Sequence, residues 1–157
     1  MTESKSPSRA QREDHANREH VLFLCTENSS RSQMAEVILR ELAGDRFEVR
    51  SAGLAPKDVH PLTHEVLQER GFDTSELRSK GIAEFLGKEA FRFAIIVCDR
   101  AAEACPRIFP FALQTLVWPF EDPALGSGLH RAQLMKFRQV RDQIETRLRE
   151  WLDREAS

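Results

Sequence analysis

The chain has 157 residues, 41% of them apolar and 31% charged, with 23 Lys+Arg against 25 Asp+Glu and a net charge of −2. This is an ordinary soluble composition for about one domain, with a core large enough to need no disulfide or metal staple. The charge balance argues against a nucleic-acid binder, and no apolar run approaches the roughly 18 residues of a membrane span.

The first twenty residues contain no Val, Ile, Leu, Phe or Trp, and eight of them are charged, four of each sign. Such a segment cannot bury enough apolar area to offset its ordering entropy, so residues 1–19 are expected to be a disordered polar tail. Residues 20–157 are expected to form a single domain. The N-terminus has no apolar stretch of the kind a secretion signal needs. The three cysteines therefore read as thiols of a reducing cytoplasm, where cysteine is more often catalytic than structural.

Order is expected from Val21. Val21-Leu22-Phe23-Leu24-Cys25 is continuously apolar, the pattern of a buried strand. A polar loop follows. A helix is predicted over Ser32–Ala43, with Met34, Ala35, Ile38, Leu39 and Leu42 on one face and Gly44 stopping it. Phe47–Ser51 alternates like a strand. Pro61 opens a second helix and Gly71 closes it. Phe93–Cys98 and Leu113–Trp118 are two further strands. Leu134, Phe137, Val140, Ile144, Leu148 and Trp151 recur every three or four residues and define a long amphipathic C-terminal helix.

Strands alternating with helices imply an α/β fold. The expectation is a flavodoxin-like three-layer sandwich: a four-stranded parallel sheet, order 2-1-3-4, with helices on both faces. Ligands bind such sheets beyond the carboxyl ends of the strands, where the strand order reverses. Cys25 and Cys98 both fall there, on neighbouring strands.

The loop Cys25-Thr26-Glu27-Asn28-Ser29-Ser30-Arg31-Ser32 joins a strand to a helix. Successive backbone amides and a helix N-terminus make a nest for an oxyanion, and Arg31 adds a planar fork for two of its oxygens. The same field favours the Cys25 thiolate, of which a free thiol near pKa 8.5 has only about 3% at pH 7. Asn28 suits a tight turn, since Asn tolerates left-handed backbone. Ser32 is expected to donate a hydrogen bond to that sulfur. Further on, Cys98 and Cys105 are either a redox pair or a buried strand-end thiol beside an incidental one. In a helix their Cα atoms would stand roughly 10.5 Å apart, beyond the ~7 Å a disulfide spans, so bonding them requires unwinding. Pro106 favours that by disfavouring helical backbone at Cys105. Asp122, held extended before Pro123, lies on the same sheet edge as Cys25 and is a candidate general acid.

The stretch Leu24-Cys25-Thr26-x-Asn28-Ser29-x-Arg31-Ser32-Gln33-Met34-Ala35-Glu36 resembles the active-site stretch of the thioredoxin-coupled arsenate reductases, which share the fold of the low-molecular-weight protein tyrosine phosphatases. The Cys98–Cys105 spacing and Glu121-Asp122-Pro123 are similar to that family too. The resemblance implies that arsenate, or phosphate or sulfate as a mimic, binds residues 26–32. Cys25 would attack arsenic, Arg31 would hold the anion and Asp122 would protonate the departing oxygen. Cys98 and then Cys105 would resolve the intermediate, with thioredoxin as the final reductant and no cofactor. Glu27 departs from the pattern and is expected on the rim, where it would not repel the anion. Ser30 stands where the phosphatases commonly carry a second cysteine. Some relatives bind potassium near the loop. Asn28, Glu36 and Ser51 match part of that site, but Lys80-Gly81 stands where an acid belongs, so no metal is expected. The alternative is a low-molecular-weight phosphatase using the same Cys25, Arg31 and Asp122. Gln33, in place of the proline usual after the Arg-Ser pair, and Ala124, in place of an aromatic, stand against it.

Overall fold

The computed structural model describes residues 18–98, 110–125 and 128–155. Four strands, β1 (Glu19–Cys25), β2 (Phe47–Gly53), β3 (Phe91–Ile96) and β4 (Ala112–Val117), form one sheet in the order β2-β1-β3-β4, and every pairing is parallel. Three α-helices accompany them: α1 (Arg31–Ala43), α2 (Pro61–Glu69) and α3 (His130–Glu155). The expected strand order and helices are therefore present.

The boundaries differ in instructive ways. β1 starts before the apolar run, because Glu19 pairs with Phe47 and donates its N–H to the Arg46 carbonyl. β3 starts at Phe91, whose N–H reaches the Phe111 carbonyl, and ends two residues before Cys98. Gly44 caps α1 in right-handed backbone (φ −65°), whereas Gly71, two residues past α2, is left-handed (φ +76°). Only Gly71 uses the conformational freedom that favours glycine at helix ends. A short 3₁₀ turn at Ile82–Glu84 was not expected. The proposed tail (residues 1–17 of it) and Cys105 lie outside the described residues.

The central strands are buried on both faces, with Val21, Leu22, Phe23 and Leu24 all fully enclosed. That is why they read as unbroken apolar runs rather than alternating ones. On one face Trp151 of α3 is the centrepiece. Its ring stacks on Phe47 at 5.4 Å and meets Phe93 at 5.1 Å and Trp118 at 5.8 Å edge-on. One side chain thus ties α3 to β2, to β3 and to the exit from β4. Helix α2 is fixed to α3 by the buried Arg141, which donates to the Val66 carbonyl (2.8 Å) and pairs with Glu69 (3.0 Å). Arg138 pairs with Glu69 as well, and together the two arginines hold that carboxyl below the usual carboxylate range.

Trp151→Ala is expected to cost about 3–5 kcal/mol, the range for removing a buried aromatic. A urea unfolding curve would show it as a lower midpoint with an unchanged slope.

Candidate active site

Residues 25–31 leave the carboxyl end of β1 and turn into α1. The loop is tied down from outside through its carbonyls. Cys25 O accepts from Leu54 N (3.3 Å), Thr26 O from Ala55 N (2.8 Å), Glu27 O from Lys57 N (2.9 Å) and Ser29 O from His60 N (3.0 Å). The Thr63 hydroxyl donates to Ser29 O as well (2.8 Å). The whole segment after β2 therefore serves as a wall for the loop.

Asn28 is fully buried and has φ +52°, the one positive value outside glycine among the described residues. Its amide holds the turn from both ends. Nδ2 donates to Ser32 Oγ (2.8 Å), while Oδ1 accepts from Lys80 N (2.8 Å) and Gln33 Nε2 (2.9 Å). Gln33 Nε2 also reaches Asn28 O and Arg78 O, both at 2.9 Å. Ser29, Ser30, Arg31, Ser32 and Gln33 are all buried. Glu27 is turned to the rim, where it pairs with Lys57 at 3.3 Å.

Cys25 is a free thiol and is almost completely enclosed. Arg31 is enclosed too, and it reaches across to the segment after β4. Its Nη1 donates to Phe120 O (3.1 Å), and its Nη2 lies 3.6 Å from Asp122 Oδ2. The other Asp122 oxygen accepts from Ala124 N (2.9 Å), which closes a small turn over Pro123. Two residues far apart in the chain, Arg31 and Asp122, thus meet at one sheet edge. His60 caps α2 and packs its ring 4.7 Å from Phe137. Its Nδ1 accepts from Leu62 N, which leaves Nε2 to carry the proton of the neutral ring. Burial holds the imidazole below its ordinary value, with the Asp122 carboxylate pulling the other way.

Cys98 is also fully buried. It follows Val97, whose N–H donates to Leu24 O at 2.9 Å. Since Leu24 pairs with Ile96, the two cysteines leave adjacent strands within one residue of each other in register. Cys98 is disulfide-bonded while Cys25 is free, so that bond does not join the two.

Sequence reasoning left Gly53 and Thr63 without a role, and met Gln33 and Lys80 only as departures from family patterns, not as supports of the loop. Gly53 carried a readable signal, a glycine at a strand end, which often marks close backbone approach. A Cβ there would stand 2.8 Å from Asn28 N and from Thr26 O. The place that a cation would share with Asn28, Glu36 and Ser51 is taken by the Lys80 ammonium, 3.4 Å from Ser51 Oγ and 3.6 Å from Glu36 Oε1. The residues present do not fit an added metal ion there.

Gly53→Ala must push the loop backbone. It is expected to lower affinity for inorganic phosphate about tenfold, on the scale that small misplacements cost at preorganised sites. Isothermal titration calorimetry would measure it, with the far-UV circular dichroism unchanged.

Residues 20–156 match the low molecular weight phosphotyrosine protein phosphatase family. The arsenate reductase of Halalkalibacterium halodurans is 37% identical over 133 residues, 85% of this chain and 94% of that protein. That of Bacillus subtilis is 35% identical over the same shares. Among solved structures, an arsenate reductase in the phosphate binding state superposes with a TM-score of 0.70 at 29% identity, over 87% of this chain and 98% of that one. The thioredoxin-dependent arsenate reductase of Corynebacterium glutamicum gives 0.67 at 30% identity, over 92% of this chain and 65% of that one. On both sequence and fold, the chain belongs to the low-molecular-weight phosphotyrosine protein phosphatase family, among its arsenate reductases.

Proposed function

We propose that this protein reduces arsenate to arsenite through a relay of three cysteines recycled by thioredoxin. The observation that carries the reading is the placement of Cys98 beside Cys25 at the sheet edge where Arg31 meets Asp122. An anion loop with an arginine and an acid would serve a phosphatase equally well. A second thiol one register step away is what a reductase adds.

The geometry supports the following chemistry. A loop whose carbonyls are turned outward presents its amides inward, and those amides with the Arg31 fork hold the tetrahedral anion. The same field draws the Cys25 thiol toward thiolate. Cys25 Sγ attacks As(V), an As–S bond forms and an As–O bond breaks, and Asp122 protonates the departing oxygen. Asp122 stands against Arg31, and a bound anion would take over the guanidinium fork from it. Cys98 Sγ then attacks Cys25 Sγ. The electron pair of the As–S bond passes to arsenic, arsenite leaves as As(III), and a Cys25–Cys98 disulfide remains. Cys105 attacks Cys98 next, forming a Cys98–Cys105 disulfide and releasing the Cys25 thiolate; the dithiol of thioredoxin then reduces that disulfide and is itself oxidised to a disulfide. A reduced Cys25 alongside a bonded Cys98 is the state these two sulfurs would have after the attack by Cys105 and before reduction by thioredoxin.

Thiols cycled by a dithiol carrier suit a reducing compartment, which makes the cytoplasm the proposed location. Among the described residues no helix is long and apolar enough to cross a membrane.

Cys98→Ser separates the readings. Thioredoxin-coupled arsenate turnover is expected to fall to background, while any hydrolysis of an aryl phosphate persists, since hydrolysis needs only Cys25, Arg31 and Asp122. Undiminished arsenate turnover in Cys98→Ser would sink the relay. An unmodified protein that hydrolyses aryl phosphate but turns over no arsenate would be a phosphatase. Asp122→Asn is expected to slow arsenate turnover about 10²–10⁴-fold, the usual contribution of a positioned acid, measured as kcat with little change in KM.

A further inference from the structure

A cation stands inside the polar wall behind the loop. Lys80 Nζ donates to Arg78 O at 2.7 Å and lies 3.4 Å from Ser51 Oγ and 3.6 Å from Glu36 Oε1. The two charged side chains are 8% and 6% exposed. The same residue hooks the loop directly, because its backbone N–H donates to Asn28 Oδ1 at 2.8 Å. The Arg78 carbonyl that receives the ammonium also receives Gln33 Nε2 at 2.9 Å, and Gln33 in turn holds Asn28. Two of the braces that keep Asn28 in left-handed backbone, those from Gln33 and from Lys80 N–H, thus run through segment 78–80, and the ammonium anchors that segment to α1 and β2.

Charge makes the arrangement specific. Glu36 would otherwise be a nearly buried carboxylate one helical turn past an anion site, and its other partner, Arg40, is half-exposed. Burial pulls the Lys80 ammonium below its ordinary range, and Glu36 is the largest influence opposing that pull. An ammonium ion and a potassium ion are similar in size, and both are satisfied by a cage of oxygens. A free cation placed among the Ser51, Glu36 and Asn28 oxygens would meet a like charge already there.

We propose that the Lys80 side chain is a built-in monovalent cation that positions the anion loop, so that this protein needs no free potassium ion behind it. The inference rests on the reading of residues 25–31 as an anion site. Lys80 is accordingly a positioning residue, acting on the substrate through Asn28.

The test measures the affinity of the full chain for inorganic phosphate by calorimetry, in potassium chloride and in tetramethylammonium chloride at equal ionic strength. The unmodified protein is expected to bind phosphate equally in both salts, within about twofold. Lys80→Ala is expected to lose about tenfold or more in tetramethylammonium, on the scale of a displaced preorganised group, and to recover part of that in potassium. A potassium requirement in the unmodified protein would overturn the proposal. So would full affinity of Lys80→Ala in tetramethylammonium. Because that variant strands Glu36 and is at risk of unfolding, Glu36→Gln/Lys80→Ala provides a second arm. Removing both charges should restore the melting temperature while phosphate affinity stays low and insensitive to potassium. Affinity restored along with melting temperature would reduce Lys80 to a structural pair and overturn its positioning role. If the unmodified protein bound no phosphate in either salt, the anion-site reading would fall first and this inference with it.

Discussion

Left-handed backbone at Asn28 is the constraint around which the site is arranged. A non-glycine residue holds such a conformation only when its surroundings over-determine it. Here the side-chain amide is engaged at both ends, by Ser32 on one side and by Gln33 and Lys80 on the other. The turn lets four loop carbonyls point outward to residues 54–60. It also demands a partner strand with no Cβ at position 53, where the loop backbone passes within 3 Å. Gly53, the 54–60 wall and segment 78–81 all follow from closing a tight ring of amides at the end of β1.

The sheet supplies the rest of the geometry. Reversal of strand order between β1 and β3 puts the ends of two central strands side by side, and those ends carry Cys25 and Cys98. β4, on the far side of β3, ends near Trp118, and the chain beyond it turns Asp122 back toward Arg31. Parallel pairing is what makes this possible: all four carboxyl ends face one way, so loops distant in sequence meet along a single edge.

Much of this is readable in the sequence, for physical reasons. Fully buried parallel strands must be apolar throughout, and Val21–Cys25 is. The α3 stripe must repeat at helical spacing to cover a sheet, and its residues from Phe137 to Trp151 do. Arg31 and Asp122 are legible as candidates because the proposed anion binding and proton donation restrict residue type, and the structure brings the two side chains within 3.6 Å. What stayed hidden were residues whose type is common and whose role depends on tertiary approach. Gln33 looks like a surface residue of α1 and is instead fully buried against two backbone carbonyls. Lys80 is legible only as a residue standing where an acid belongs; that it is enclosed 3.6 Å from Glu36, 44 positions earlier in the chain, depends on tertiary approach. Thr63 lies in a helix whose amphipathic pattern gives no hint that its hydroxyl serves the loop. The strand ends shifted because ladder bonds at Glu19 and Phe91 extend pairing past the apolar runs.

Helix α2 touches both the active-site loop and the longest helix of the fold. At its start, His60 N–H holds the Ser29 carbonyl. At its end, Val66 O and Glu69 are gripped by Arg141 of α3, a guanidinium almost out of contact with water. The loop therefore cannot peel open while α2 remains docked, and α2 cannot undock without breaking a buried polar contact to α3. Fluctuations at the catalytic edge are thereby recruited into the same cooperative unit as the C-terminal helix. Amide hydrogens around Ser29 should exchange with solvent only as slowly as the whole domain breathes, so a cavity made far away under Trp151 would be felt as looseness at the thiol.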